Sequence, residues 1–199
     1  MNYRAILIAL LFAATAAFVV AMPWLPAVFQ SRDFYGLSVD QDAYNFAIGD
    51  GQLADLQGRY VYLLFGFLRC NDVCHRQVAN MLALNQQLQA IPTASADQVS
   101  FVFVSLDPER DAVDQLQAYF DQQGPDFHSV KPANSAAAHA LASEYNEYFV
   151  KSGGGNDYQI DHSGFMYVID PNGRLRLIYT SSHLNVVEML SDLSKLSTS

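Results

Sequence analysis

The stretch Tyr60-Val-Tyr-Leu-Leu-Phe-Gly-Phe-Leu-Arg-Cys-Asn-Asp-Val-Cys74 decides how this chain folds. Tyr60–Leu68 is almost wholly apolar, as expected of a central strand buried on both faces. Helical spacing then takes over from Val73 to Ala90, through Val78, Met81, Leu82, Leu84 and Leu88. The junction holds Cys70 and Cys74, the only two cysteines in the chain. A helix start offers unpaired N–H groups and the positive end of the peptide dipole. Both favour a thiolate, which is the nucleophile in thiol exchange and the ligand for soft metals. Side chains four apart on a helix face the same way, so the pair is placed to share an ion or to close a short disulfide. As a purely structural bridge it would close a very small loop and contribute little.

Downstream, Val99–Leu106 predicts a second buried strand. Asp107-Pro108 looks like a cap followed by proline at the first helical position, with the helix running to about Gln122. Ala136–Tyr148 predicts a further helix, and Lys151–Tyr158, with Gly153-Gly-Gly155, a flexible loop. Phe165–Ile169 and Leu175–Tyr179 flank the turn Asp170-Pro-Asn-Gly173, a hairpin signal. Leu184–Leu196 predicts the last helix. Upstream, Tyr44–Ile48 before Gly49-Asp-Gly51 suggests a small hairpin. This order of elements, with the cysteines after the first central strand, describes an α/β, thioredoxin-like central sheet flanked by helices.

The N-terminus has a different character. Arg4 precedes an apolar run, Ala5 to Met22, broken only by Thr15. About 18 helical residues span roughly 27 Å, close to the hydrocarbon thickness of a bilayer. Pro23 and Pro26 end the run and Trp24 suits the interface. A single N-terminal transmembrane helix is therefore expected, with the positive flank in the cytoplasm and the rest outside the cytoplasmic (inner) membrane, facing the periplasm or cell exterior. The rival is a signal peptide cleaved near Val19-Val-Ala21. With no cysteine before Cys70, a cysteine-linked lipid anchor is not expected. The domain expectation is an anchor or signal segment over 1–23, a tether over 24–43 and a thioredoxin-like domain over 44–199. Every one of the 20 acids lies beyond Arg32, and the chain carries a net charge of −9. Such an acidic domain argues against nucleic-acid binding, which needs a basic face.

Four segments together resemble the Sco/SenC family. They are Phe65-Gly-Phe-Leu-Arg-Cys-Asn-Asp-Val-Cys74, Ser105-Leu-Asp-Pro-Glu-Arg-Asp111, Asp161-His162-Ser163 and Tyr167-Val-Ile-Asp-Pro-Asn-Gly173. The resemblance covers about residues 44–196. It implies a membrane-tethered copper chaperone that delivers copper during cytochrome c oxidase assembly. It also implies that Cys70, Cys74 and His162 are the metal ligands, with Asp72 as the family's middle aspartate. The implied partners are the oxidase subunit carrying the copper site and other copper chaperones. Two thiolates and an imidazole suit copper, sulfur favouring Cu(I) and nitrogen also accepting Cu(II). Zinc usually requires a fourth ligand or a catalytic water. Where the family usually has proline after each cysteine, this chain has Asn71 and His75, and Arg69 stands where histidine is frequent.

The neighbouring residues have two readings each. Asp161 either orients the His162 ring or is an exposed turn acid. His75 either stabilises a thiolate or adds a ligand, or simply faces solvent. Arg69 either depresses the Cys70 pKa or faces water. His128, His139 and His183 have no motif support, and Met81 and Met166 fall in core patterns. The alternative function is a thiol–disulfide oxidoreductase outside the cytoplasm, in which Cys70 and Cys74 form the redox pair. Copper binding would use His162, whereas dithiol exchange would not.

Overall fold

The computed structural model describes residues 34–70, 72–91, 98–155 and 157–198, together with positions 3, 11, 13 and 15. The chain divides into two units, Met1–Asp33 and Phe34–Ser199. In the first, Tyr3, Leu11, Ala13 and Thr15 are helical. The rest of the expected membrane segment lies outside the described residues, among which no helix is long and apolar enough to cross a membrane.

In the second unit the strands are β1 (Leu37–Asp42), β2 (Ala47–Ile48), β3 (Gly51–Gln52), β4 (Tyr60–Gly66), β5 (Val99–Ser105), β6 (Phe127–Val130), β7 (Phe149–Ser152), β8 (Gln159–His162), β9 (Met166–Ile169) and β10 (Arg174–Tyr179). The α-helices are α1 (Val73–Ala90), α2 (Val113–Tyr119), α3 (Ser135–Glu144) and α4 (Val186–Ser197). Six strands form one mixed sheet in the order β1-β10-β9-β4-β5-β6. β4, β5 and β6 run parallel, while β9 lies antiparallel to β4, β10 to β9 and β1 to β10.

β4 and β5 are buried along their whole length, and the two-residue period of a strand divides their side chains between two cores. Val61, Leu63, Phe65, Val102 and Val104 face Ala138, Ala142 and Tyr145 on the α3 side. Tyr62, Leu64, Phe101 and Phe103 face Val78, Met81, Leu84 and Leu88 of α1, with Leu116 of α2 and Met189 of α4. Each such side chain, fully buried, contributes about 1.5–3 kcal/mol of transfer free energy. Asn134 and Asn185 cap α3 and α4 by accepting N–H bonds from Ala137 at 2.9 Å and Val187 at 3.0 Å.

Three sequence expectations need correction. Leu37–Asp42, assigned to the tether, is an edge strand paired with β10. Its exposed, largely polar side chains hid it. The unit's start is held by buried Asp192, which accepts N–H bonds from Tyr35 and Gly36, both at 2.9 Å. Asp107 does not cap a helix: it is buried, pairs with Arg110 and accepts a bond from the Tyr158 hydroxyl. The helix starts later, at Val113 after Ala112. The third helix stops at Glu144, because Asn146 turns the chain with φ +54° into β7. β7 thus takes the first two residues of the expected 151–158 loop, and β8 begins directly after it.

Candidate metal centre

The site forms where β4 hands over to α1. Cys70 lies in the turn before the helix, so the two cysteines are not a helical i, i+4 pair as the sequence suggested. The turn nevertheless brings the sulfurs together. The Cys74 N–H, in the first turn of α1, donates to Cys70 Sγ at 3.3 Å. Sulfur here takes the capping position that Asp72 leaves vacant, since Asp72 makes no side-chain cap bond. Asp72 is instead exposed and pairs with Arg76. Gly66, at the end of β4, makes room: a Cβ there would come within 3.0 Å of Cys74 Sγ and 2.9 Å of Phe103 Cε2. The second sequence motif braces this turn. Buried Asp111 accepts from the Leu68 N–H at 3.2 Å and from the Ser105 hydroxyl at 2.7 Å.

His162, at the end of β8, reaches the cysteines from the separate β7–β8 hairpin. Its Nε2 lies 3.3 Å from Cys74 Sγ and 4.0 Å from Cys70 Sγ. The loop after it docks against α1 through Gln77, whose side-chain N–H donates to the Gly164 carbonyl at 2.9 Å. Gly164 has φ +66°, and a Cβ there would meet Val73 Cγ1 at 2.4 Å, so only glycine permits this approach. Phe67 sets its ring edgewise to the imidazole, with centroids 5.9 Å apart.

Cys70 and Cys74 are both free thiols and both buried. The Cys74 thiol hydrogen bond, helped by His162 and the helix-start N–H groups and opposed by burial, holds the Cys70 pKa down at about 4. The same bond to Cys70, together with burial, pushes Cys74 far up. The pair thus gives up its first proton readily and holds its second. Burial alone would lower the His162 pKa, but the Cys70 sulfur and the Glu147 carboxylate outweigh it and raise it to about 9.

Among the described residues, Cys70, Cys74 and His162 are the one group of three that could hold a metal, their ligand atoms lying within 4.8 Å of one another. Bonds of about 2.0–2.3 Å to a shared ion separate ligand atoms by roughly 3.3–4.6 Å, a range that holds both distances from His162 Nε2 to the sulfurs, 3.3 and 4.0 Å. Asp161 points away: it is exposed on β8, opposite Val150. The carboxylate at the ring is Glu147, with its side chain 0% exposed and 3.4 Å from His162 Nδ1. Sequence reasoning missed it. Its only signal is an acid set among Tyr145, Tyr148 and Phe149. His75 is exposed and packs edgewise against Tyr119, with centroids 5.6 Å apart, while Arg69 is exposed beside Cys70. Neither joins the cluster.

A thioredoxin-like sheet with two thiols and an imidazole gathered at the end of its central strand defines a class of soft-metal and thiol proteins. The chain belongs to the SCO1/SenC family, whose model matches residues 42–198. It is 31% identical over 144 residues to the human Protein SCO2 homolog, mitochondrial, covering 70% of this chain and 51% of that protein. The chain spans about half the length of the curated relatives it matches. Apo Sco1 from Thermus thermophilus superposes with TM-score 0.69 at 28% identity, over 84% of this chain and 99% of that one. ScoI from Arabidopsis thaliana with copper bound gives TM-score 0.65 at 25% identity, over 80% and 96%. The Cys70, Cys74 and His162 arrangement fits a copper site.

Proposed function

We propose that this chain binds copper through Cys70, Cys74 and His162 and delivers it during cytochrome c oxidase assembly. The observation that carries the reading is the convergence of two buried sulfurs and one imidazole nitrogen on a common centre. Soft thiolates suit Cu(I), and the added nitrogen suits Cu(II). Family membership and a copper-bound relative support the same ion. Copper is the cargo, and the recipient would be the oxidase subunit that carries a copper site, with other copper chaperones as donors. The apolar run over 5–22 would anchor the chain in the cytoplasmic membrane, with residues 1–23 as anchor and the copper-binding domain outside. A reporter fused after Ser199 would then be active only outside the cytoplasm.

A second reading has its own support. The depressed Cys70 thiol beside a proton-holding Cys74 is the asymmetry a dithiol reductant uses, one sulfur attacking and the other resolving. Cells lacking the gene separate the two. Copper delivery expects His162→Ala to fail to restore oxidase assembly at low copper, as either cysteine variant fails. Full restoration by His162→Ala, with both cysteine variants failing, would replace delivery by thiol reduction.

A further inference from the structure

Glu147 is a buried acid that neither motif nor spacing points to. The left-handed turn at Asn146 brings it inward just before β7, and its own N–H is tied to the Ala142 carbonyl at 2.9 Å. Its side chain is 0% exposed. A buried carboxylate is costly unless donors surround it, and here they do. Oε2 accepts from the Tyr167 hydroxyl at 2.8 Å. Oε1 accepts from the Gly164 N–H at 3.1 Å and stands 3.4 Å from His162 Nδ1. Tyr167 is itself fully buried in β9, so the carboxylate is fixed to the rigid sheet at one oxygen and meets the histidine at the other. Nδ1 thus has two neighbours, Glu147 Oε1 at 3.4 Å and the Gly164 N–H at 3.1 Å, an N–H that the carboxylate also holds, while Nε2 faces Cys74 Sγ at 3.3 Å.

We propose that Glu147 is the positioning residue of this centre, holding His162 through Nδ1 so that Nε2 meets the sulfurs, and biasing the site toward Cu(II) over Cu(I). The second half rests on the copper reading above. Its physical basis is charge. Two thiolates already overbalance a monovalent ion, and a buried carboxylate a few ångströms behind the imidazole adds more negative charge in a medium that screens it poorly. A divalent ion compensates that charge better. The carboxylate also makes the imidazole a better donor, and nitrogen matters more to Cu(II).

The test uses the full chain, reduced, as wild type, Glu147→Gln and Glu147→Leu. In the metal-free wild type, the His162 Nδ1–H should exchange slowly enough to appear in proton–nitrogen NMR spectra, assigned by its loss in His162→Gln. Glu147→Leu should erase it. Separately, Cu(II) and Cu(I) affinities are measured by competition with chelators. Glu147→Gln keeps the size and removes the charge, so Cu(II) affinity should fall by roughly 10–100-fold while Cu(I) affinity changes by about threefold at most. A role in folding alone would leave that ratio unmoved. No Nδ1–H signal in the wild type, or one that persists in Glu147→Leu, overturns the positioning role. An unchanged Cu(II)/Cu(I) ratio in Glu147→Gln overturns the bias. A wild type that takes up no copper, yet shows the signal and loses it in Glu147→Leu, removes the copper reading and keeps the positioning. Should Glu147→Leu not fold, the wild-type spectrum and Glu147→Gln still decide.

Discussion

The two halves of the candidate metal centre are built differently. The cysteine half is local: Cys70 and Cys74 share one turn, and the Cys74 N–H bonds the Cys70 sulfur directly. The histidine half is remote: His162 comes from β8, 88 residues beyond Cys74, and needs Gly164, Gln77 and Glu147 to hold it in place. A local pair keeps its geometry as long as the helix start exists. A remote ligand depends on every contact that docks its hairpin. Damage to the cysteine half should therefore act on the chemistry itself, and damage to the histidine half on affinity and oxidation-state preference.

The largest expected contrast lies in the ligands. Cys70→Ser and Cys74→Ser should each abolish copper binding of either oxidation state in chelator competition. His162→Ala should weaken Cu(II) binding by several kcal/mol, within the roughly 10–16 kcal/mol that whole structural metal sites supply. It should weaken Cu(I) binding less, because both sulfurs remain. Equal losses in all three variants would erase the distinction between the halves.

Next comes the docking of the hairpin. In Gly164→Ala a methyl group would enter at 2.4 Å from Val73 Cγ1, on a backbone with φ +66°. Overpacking costs about 1–3 kcal/mol, and denaturant unfolding should register at least that. Copper affinity should fall with it. Unchanged stability would mean that the hairpin does not depend on this close approach.

The cysteine half has its own signature in pH. Cys70 is depressed to about 4 by the Cys74 hydrogen bond and its other partners, against burial. Its alkylation rate by iodoacetamide in reduced, metal-free protein should therefore be flat from pH 6 to 8, and should fall only as acid approaches pH 4. An ordinary thiol speeds up tenfold per unit over that neutral range because its pKa is about 8.5. A steep neutral rise would show that the helix start does not hold a thiolate.

The smallest effect lies outside the site. Burial would raise the Glu109 pKa, but bonds from Ser135 and Lys151 outweigh it and bring it to about 2. A carboxylate depressed on folding adds stability above its ordinary range near 4.5, lost as pH falls toward 2. Glu109 is 46% exposed, so solvent screening limits the effect. Glu109→Gln should cost under about 1 kcal/mol at pH 7 and nothing near pH 2. A cost that stays constant with pH would assign it to packing.

The cysteine half was legible in the sequence, and the histidine half was legible only by family resemblance. A buried parallel strand running into amphipathic helical spacing can be read from periodicity, so β4, α1 and β5 fell within a residue or two of where expected. Glu147 could not be read, because its role exists only once Asn146 turns the chain and β9 brings up Tyr167. Asp161, adjacent to the histidine in sequence, was the natural candidate. Strand alternation sends it to the opposite face from His162, which is why neighbours along a strand make poor guides to the partners of a ligand. Asp107-Pro108 misled for a related reason: the same letters that cap a helix here bury an acid against Arg110 and Tyr158.

Copper X-ray absorption on the loaded protein tests the central claim most directly. The expected spectrum has two sulfur scatterers and one imidazole nitrogen, with the imidazole contribution lost in His162→Ala and the sulfurs retained. A spectrum without two sulfurs, or one that His162→Ala leaves unchanged, would contradict the joining of the two halves in one metal centre.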